Sequence, residues 1–195
     1  MKKSVESKYP VTRTKIIIPR RHDEILTRQR LFELLNDLLD LKLIIIAAPA
    51  GYGKTSLLID FANHSEWPIS WLSLDSLDQD PFRFIAHFIS AIQARFPEFG
   101  QNSMGVLKNT PQDKLDTPAM VTTLVNDIYE HITEHFILVL DDYHLIEESE
   151  SVTHFVNQFL QDVDENCHLF VSSRRLLTLS DMPLLVARNQ VGGIS

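Results

Sequence analysis

The chain alternates two hydrophobic rhythms. From Thr27 onward, Leu31, Leu34, Leu35, Leu38 and Leu39 recur at helical spacing with Arg28, Arg30 and Asp37 on the opposite side, which predicts an amphipathic helix. Residues 43–48 are then continuously apolar and β-branched, the form of a strand buried on both faces of a parallel sheet. Glycine and proline interrupt it, and Leu57, Leu58, Phe61 and Ala62 begin a second helical stripe. A second strand is expected over 69–74. An N-cap aspartate, Asp80, followed by Pro81 predicts a long helix that carries Ile85, Phe88, Ile89, Ile92 and Phe96 and stops at Pro97.

Residues 98–116 contain Gly100, Asn102, Gly105, Asn109 and Pro111, which favour an irregular surface excursion. Helical spacing resumes at Thr117 through Leu124, Ile128 and Ile132. A strand is expected at 136–140, a helix through Val152, Phe155, Val156, Phe159 and Val163, a strand at 168–172 and a fifth at 190–195. Strands alternating with helices of this length predict an α/β fold, a parallel five-stranded sheet covered on both faces as a three-layer sandwich. Residues 1–26 read as an extended, charged N-terminal segment, with a short β-like stretch at Ile16, Ile17 and Ile18. Residues 27–195 read as one domain.

The break after the first strand carries the chemistry. AAPAGYGKTS spans residues 47–56: Gly53, Lys54 and Thr55 match the phosphate-loop pattern, while Ala48 stands where its first glycine is usual. Such a loop presents backbone N–H groups and a helix N-terminus to an anion. Ala48, Pro49, Ala50, Gly51, Tyr52, Gly53 and Ser56 supply the cradle, Lys54 reaches the β- and γ-phosphates, and Thr55 ligates magnesium. FILVLDD at 136–142 has the form of the second acidic strand of such proteins, so Asp141 is assigned to magnesium and Asp142 to orienting or deprotonating the attacking water. The strand HLFVSSRR ends in Arg174 and Arg175; at the carboxyl edge of a parallel sheet, Arg174 is the preferred sensor of the γ-phosphate. His144, in DDYHLI, is expected to make local hydrogen bonds.

A net charge of −8 in 195 residues argues against direct nucleic-acid binding by this segment. One cysteine, Cys167, excludes an intrachain disulfide, and no leader-like or membrane-spanning apolar run is found, so a cytoplasmic location is expected.

These motifs resemble the nucleotide-binding domain of STAND-class P-loop ATPases, in particular maltose-regulon activator-like transcriptional regulators with a LuxR-type C-terminal DNA-binding domain. The likeness rests on TKIIIPRR, LTRQRLFELL, APAGYGKTSL, ISWLSLD with DPFRFIAHFISAI, LVLDDYHLI and FVSSRR, and covers nearly the whole chain. It implies an AAA-like strand order with the sensor strand between the phosphate-loop and acidic strands, ATP and ADP with magnesium as ligands, and contact of Arg28 and Arg30 with the adenine side. It further implies a switch in which ADP holds a resting form and ATP permits self-association, with slow hydrolysis between. No helix-turn-helix follows the sheet, and the chain stops at VGGIS as an extended segment begins, so a larger parent protein is expected. Two other readings remain: a small-molecule kinase whose lid is 98–116, and a non-hydrolysing protein-interaction remnant of the ATPase domain.

Overall fold

Parallel strands need long crossovers, and here helices supply them. In this computed structural model, which describes residues 9–20, 28–177 and 179–195, five strands among the described residues form one parallel sheet. They are β1 (Leu43–Ala47), β2 (Ile69–Ser73), β3 (Phe136–Asp141), β4 (Cys167–Ser173) and β5 (Val191–Ile194), in the order β2-β3-β4-β1-β5. Register places Ala47 beside Ser173 and Ser73 beside Asp141, so the carboxyl ends of the strands line up along one edge. The helices are α1 (Gln29–Asp37), α2 (Lys54–His64), α3 (Pro81–Arg95), α4 (Gln101–Asn109), α5 (Thr117–His131), α6 (Glu150–Asp162) and α7 (Met182–Ala187).

Period-two alternation divides the strand side chains between two cores. Ile44, Ile46, Trp71, Ile137, Val139 and Phe170 meet Leu35 of α1 and Leu57, Leu58 and Phe61 of α2. Ile45, Leu72, Leu138, Leu140 and Val171 face the other way, onto α3, α5 and α6. There Phe88 lies edge-on to Phe155 and Phe159, with ring centroids 5.5 and 5.0 Å apart. The expected three-layer sandwich and the sensor strand between β1 and β3 are both present. Buried on both sides, β1 and β3 are apolar almost throughout, which is why they show as unbroken runs in the sequence.

Two expectations are corrected. Residues 98–116 are not an irregular excursion: they contain α4, which starts at Gly100 in the left-handed region (φ 85°) and is docked on α5. The buried Asp127 carboxylate of α5 accepts from Asn102 Nδ2 (3.1 Å) and from the Ser103 backbone N–H (2.8 Å) and hydroxyl (2.5 Å), so a tertiary contact overrides the weak local helix preference. Ile16–Ile18 form no strand; a 3-10 turn at Arg13–Lys15 precedes them, because Lys15 is drawn inward to Asp75 and Asp78. The short helix α7 carries no expectation from the sequence. Thr27, the expected start of the first helix, and most of the N-terminal segment lie outside the described residues.

Candidate functional site

The strand-to-helix turn between β1 and α2 bends through two glycines. Gly51 and Gly53 have φ of 83° and 78°, a region that costs an L-residue about 1–2 kcal/mol. Ala48 has no such demand: it is absent from the positive-φ residues, and its N–H continues the ladder to Ser173 O at 3.2 Å. The missing first glycine therefore introduces no backbone strain.

Lys54 is buried and lies back across the turn, donating to the carbonyls of Ala48 (2.8 Å) and Pro49 (3.2 Å). Thr55 follows it on the first turn of α2, and its hydroxyl donates to the Asp141 carboxylate, 3.1 and 3.0 Å from the two oxygens. Asp141 ends β3 and is buried; Ser172 of β4 also donates to it. Burial holds Asp141 above the ordinary carboxylate range, against the Ser172 and Thr55 hydrogen bonds and with the adjacent Asp142 charge adding to the rise. A buried acid raised in this way, beside a threonine hydroxyl, is an all-oxygen donor set of the type that suits a hard divalent cation such as magnesium.

Asp142 adopts φ 63°, a left-handed conformation that Asp tolerates better than most side chains, and its N–H donates to Ser172 Oγ at 2.9 Å. That geometry turns its carboxylate out of the strand. A cavity of about 320 Å³ is lined by residues of the phosphate loop, by Thr55 and Ser56, and by Asp142 and Arg174. Arg175 is committed elsewhere, to Glu147. Of the two arginines, Arg174 is thus the one placed at the cavity.

Arg28, just before α1, reaches the loop: its Nη1 lies 3.3 Å from Tyr52 O, and a Cβ built on Gly53 would stand 3.5 Å from its Nη2. Arg30 is exposed on α1 and does not line the cavity. Ala50, Gly51, Gly53, Lys54, Thr55 and Ser56 all line it, whereas the Tyr52 side chain points to solvent, 64% exposed. Two residues escape the sequence reading. Ser172 organises both aspartates, and its signal is a hydroxyl that follows the apolar run Leu169–Val171 of β4. The His144 side chain is buried and neither ring nitrogen has a hydrogen-bond partner, contrary to the local bonds expected for it.

No family model matches the chain. The HTH-type transcriptional regulator MalT of Vibrio cholerae is 29% identical over 168 residues, covering 83% of this chain and 17% of that protein. A Walker-type ATPase of Pyrococcus abyssi has a TM-score of 0.54 at 19% identity, over 80% of this chain and 47% of that one. A signal transduction ATPase with numerous domains (STAND) that carries a tetratricopeptide repeat sensor, from Pyrococcus horikoshii, has a TM-score of 0.52 at 16% identity, over 90% of this chain and 23% of that one. The structural likenesses establish the P-loop ATPase fold, and with the sequence likeness they bear out the resemblance read from the motifs. The chain spans about a sixth of the length of the curated relative it matches. No helix among the described residues is long and apolar enough to cross a membrane.

Proposed function

We propose that the chain is the ATP- and ADP-binding switch domain of a STAND-type transcriptional regulator, in which slow magnesium-dependent ATP hydrolysis gates self-association. The observation that carries this reading is the approach of Thr55 to Asp141 within 3.1 Å, on the first turn of the helix that follows the phosphate loop, with Lys54 the residue before it. Phosphate binding releases Lys54 from the Ala48 and Pro49 carbonyls toward the β- and γ-phosphates, and the loop N–H groups take the remaining charge. Thr55 and Asp141 hold magnesium, which when bound neutralises phosphate charge. Asp142 orients the attacking water, and Arg174, which lines the same cavity, meets charge developing on the γ-phosphate. Arg28, whose guanidinium meets the Tyr52 carbonyl of the loop, is the candidate for contact with the base.

Binding is expected to exceed turnover, as befits a timer. The kinase reading needs a mobile lid at 98–116, and the docking of α4 onto Asp127 speaks against one. The remnant reading needs damage at Lys54, Thr55 or Asp141, and each of these is present and in register with its partners. The test is the mass of the protein by sedimentation in saturating ATP with magnesium, in ADP with magnesium, and for Asp142→Asn in ATP. The reading expects larger species in ATP, persistent in the variant, and the smallest species in ADP; the same mass in all three would overturn the gating of self-association.

A further inference from the structure

The last turns of α5 carry a donor set that the nucleotide reading leaves unused. Asp127, Glu130 and His131 stand three and four residues apart, so they share one face of the helix. One oxygen of each carboxylate and one ring nitrogen of His131 lie within 4.8 Å of one another. Asp127 is the member that calls for a reason. It is 2% exposed, and among the described residues its carboxylate accepts from the neutral donors of Asn102 and Ser103 and forms no ion pair. A buried charge is ordinarily paired or bound to a metal, and neutral hydrogen bonds leave this one without a counter-charge. The adjoining cavity supplies none. About 750 Å³ of space beside α4 and α5 is lined by Asp127, Glu130 and uncharged residues such as Asn102, Thr123 and Asn126, with no lysine or arginine. The carboxyl end of α5, where Glu130 and His131 sit, adds negative potential of its own.

We propose that Asp127, Glu130 and His131 form a site for a divalent transition ion of the zinc class, with water from the cavity completing its coordination. Asp127 is oriented from outside the set: Asn102 Nδ2 and the Ser103 N–H and hydroxyl hold its carboxylate. Oδ1 takes a single one of these bonds, from Asn102, and keeps a lone pair for an ion. His131 Nδ1 lies 2.9 Å from the Asp127 backbone carbonyl, which accepts and cannot donate, so the neutral ring carries its proton on Nδ1 and keeps the lone pair on Nε2. A carbonyl on one ring nitrogen is the usual support of a ligating imidazole, because it fixes both the tautomer and the ring. Glu130 is exposed at the cavity edge, so its carboxylate is free to close on the ion. Two carboxylates with an imidazole suit zinc better than magnesium, which prefers oxygen alone, and three protein ligands with water are a common zinc arrangement. Asp127 also docks α4, so an ion here ties α4 to α5. None of the three residues lines the cavity at the phosphate loop, which makes this a separate site.

The test is calorimetric titration of the nucleotide-free chain with Zn²⁺, in wild type, Glu130→Gln, His131→Phe and Asp141→Asn. Glu130 and His131 are exposed, so their variants keep the fold. Wild type and Asp141→Asn are expected to bind one equivalent, and affinity is expected to fall at least tenfold in each of the other two. The ring nitrogen resonances of His131 should shift as Zn²⁺ is added, with the larger change at Nε2. Hydrogen exchange at 101–109 should slow on Zn²⁺ addition in wild type and stay unchanged in His131→Phe. No stoichiometric binding, undiminished affinity in Glu130→Gln and His131→Phe, or unmoved His131 resonances would each overturn the proposal. Loss of binding in a folded Asp141→Asn would overturn it too, by placing the ion at the phosphate loop.

Discussion

Replacing Asp78 by Asn tests how the N-terminal segment is fastened to the nucleotide-site scaffold. Asp78 is fully buried at the 3-10 turn after β2, where its carboxylate accepts from Lys15 Nζ, from Arg83 Nε at 3.1 Å, from the Asp75 N–H at 3.0 Å, and lies 3.1 Å from His87 Nδ1. The Thr12 N–H donates to His87 Nε2 at 3.1 Å, so the ring proton of the neutral imidazole is on Nδ1, facing Asp78 and the Arg83 carbonyl. Burial alone would push this carboxyl up; the His87 and Lys15 hydrogen bonds, the Asp75 N–H and the Lys15 charge overcome it and set the value at about 2, against 3.8 for an unperturbed aspartate. A folded value below the unfolded one means that stability is present above pH 3.8 and is lost as pH falls toward 2. The difference corresponds to about 2–3 kcal/mol at neutral pH. Asp78→Asn keeps the volume but cannot satisfy Lys15 and Arg83, so it should cost about 2–3 kcal/mol at pH 7, or about 5–10 °C in Tm for a domain of this size. Urea unfolding of both proteins from pH 7 down to pH 3 measures it. The gap between wild type and variant should narrow as the acid is titrated; a gap under about 0.5 kcal/mol at pH 7, or one that does not change with pH, refutes the reasoning.

Further substitutions probe other parts of the account. Gly53→Ala places a side chain at φ 78° with the Arg28 guanidinium 3.5 Å away, and should lower stability by about 1–2 kcal/mol and weaken ATP binding, checked by thermal unfolding and calorimetry. Gly105→Ala is the contrasting case: it is inside α4 with open space around it, so thermal unfolding should show a gain of about 0.5–1 kcal/mol. Leu138→Ala removes a fully buried side chain from β3, an interior strand of the sheet, and should cost about 2–5 kcal/mol in urea unfolding. Asp127→Ala strips α4 of the bonds to Asn102 and Ser103; hydrogen exchange at 101–109 should then quicken far more than exchange in β1 or β4.

The central strands are legible in the sequence because both their faces are covered, so Leu43 to Ala47 and Phe136 to Leu140 leave no polar positions to confuse them with surface structure. The phosphate loop is legible for a related reason: a left-handed turn leading into a helix narrows the choice to glycine at 51 and 53. α4 is not legible, because what holds it is Asp127, two dozen residues away, rather than anything in its own Gly- and Asn-rich stretch. Ile16 to Ile18 mislead for the same reason: their β-branched pattern is real, but Lys15 is committed to Asp75 and Asp78 across the fold. Arg174 is preferred to Arg175 on sequence alone, and in the structure Arg175 is taken up by Glu147 while Arg174 lines the cavity. His144 is read as a loop histidine because sequence shows its neighbours along the chain and not the burial that leaves its ring unpaired beside Asp142.

The most direct test of the central claim is calorimetric titration of the purified chain with ATP and with ADP, each with and without magnesium, alongside Lys54→Ala. Among the described residues, Lys54 donates to backbone carbonyls of its own loop, so the variant should stay folded while losing the phosphate contact. The account predicts saturable binding of both nucleotides by wild type, strengthened for ATP by magnesium and reduced at least tenfold in Lys54→Ala. A folded wild-type chain that binds neither nucleotide, or binds both equally well without Lys54, would contradict it.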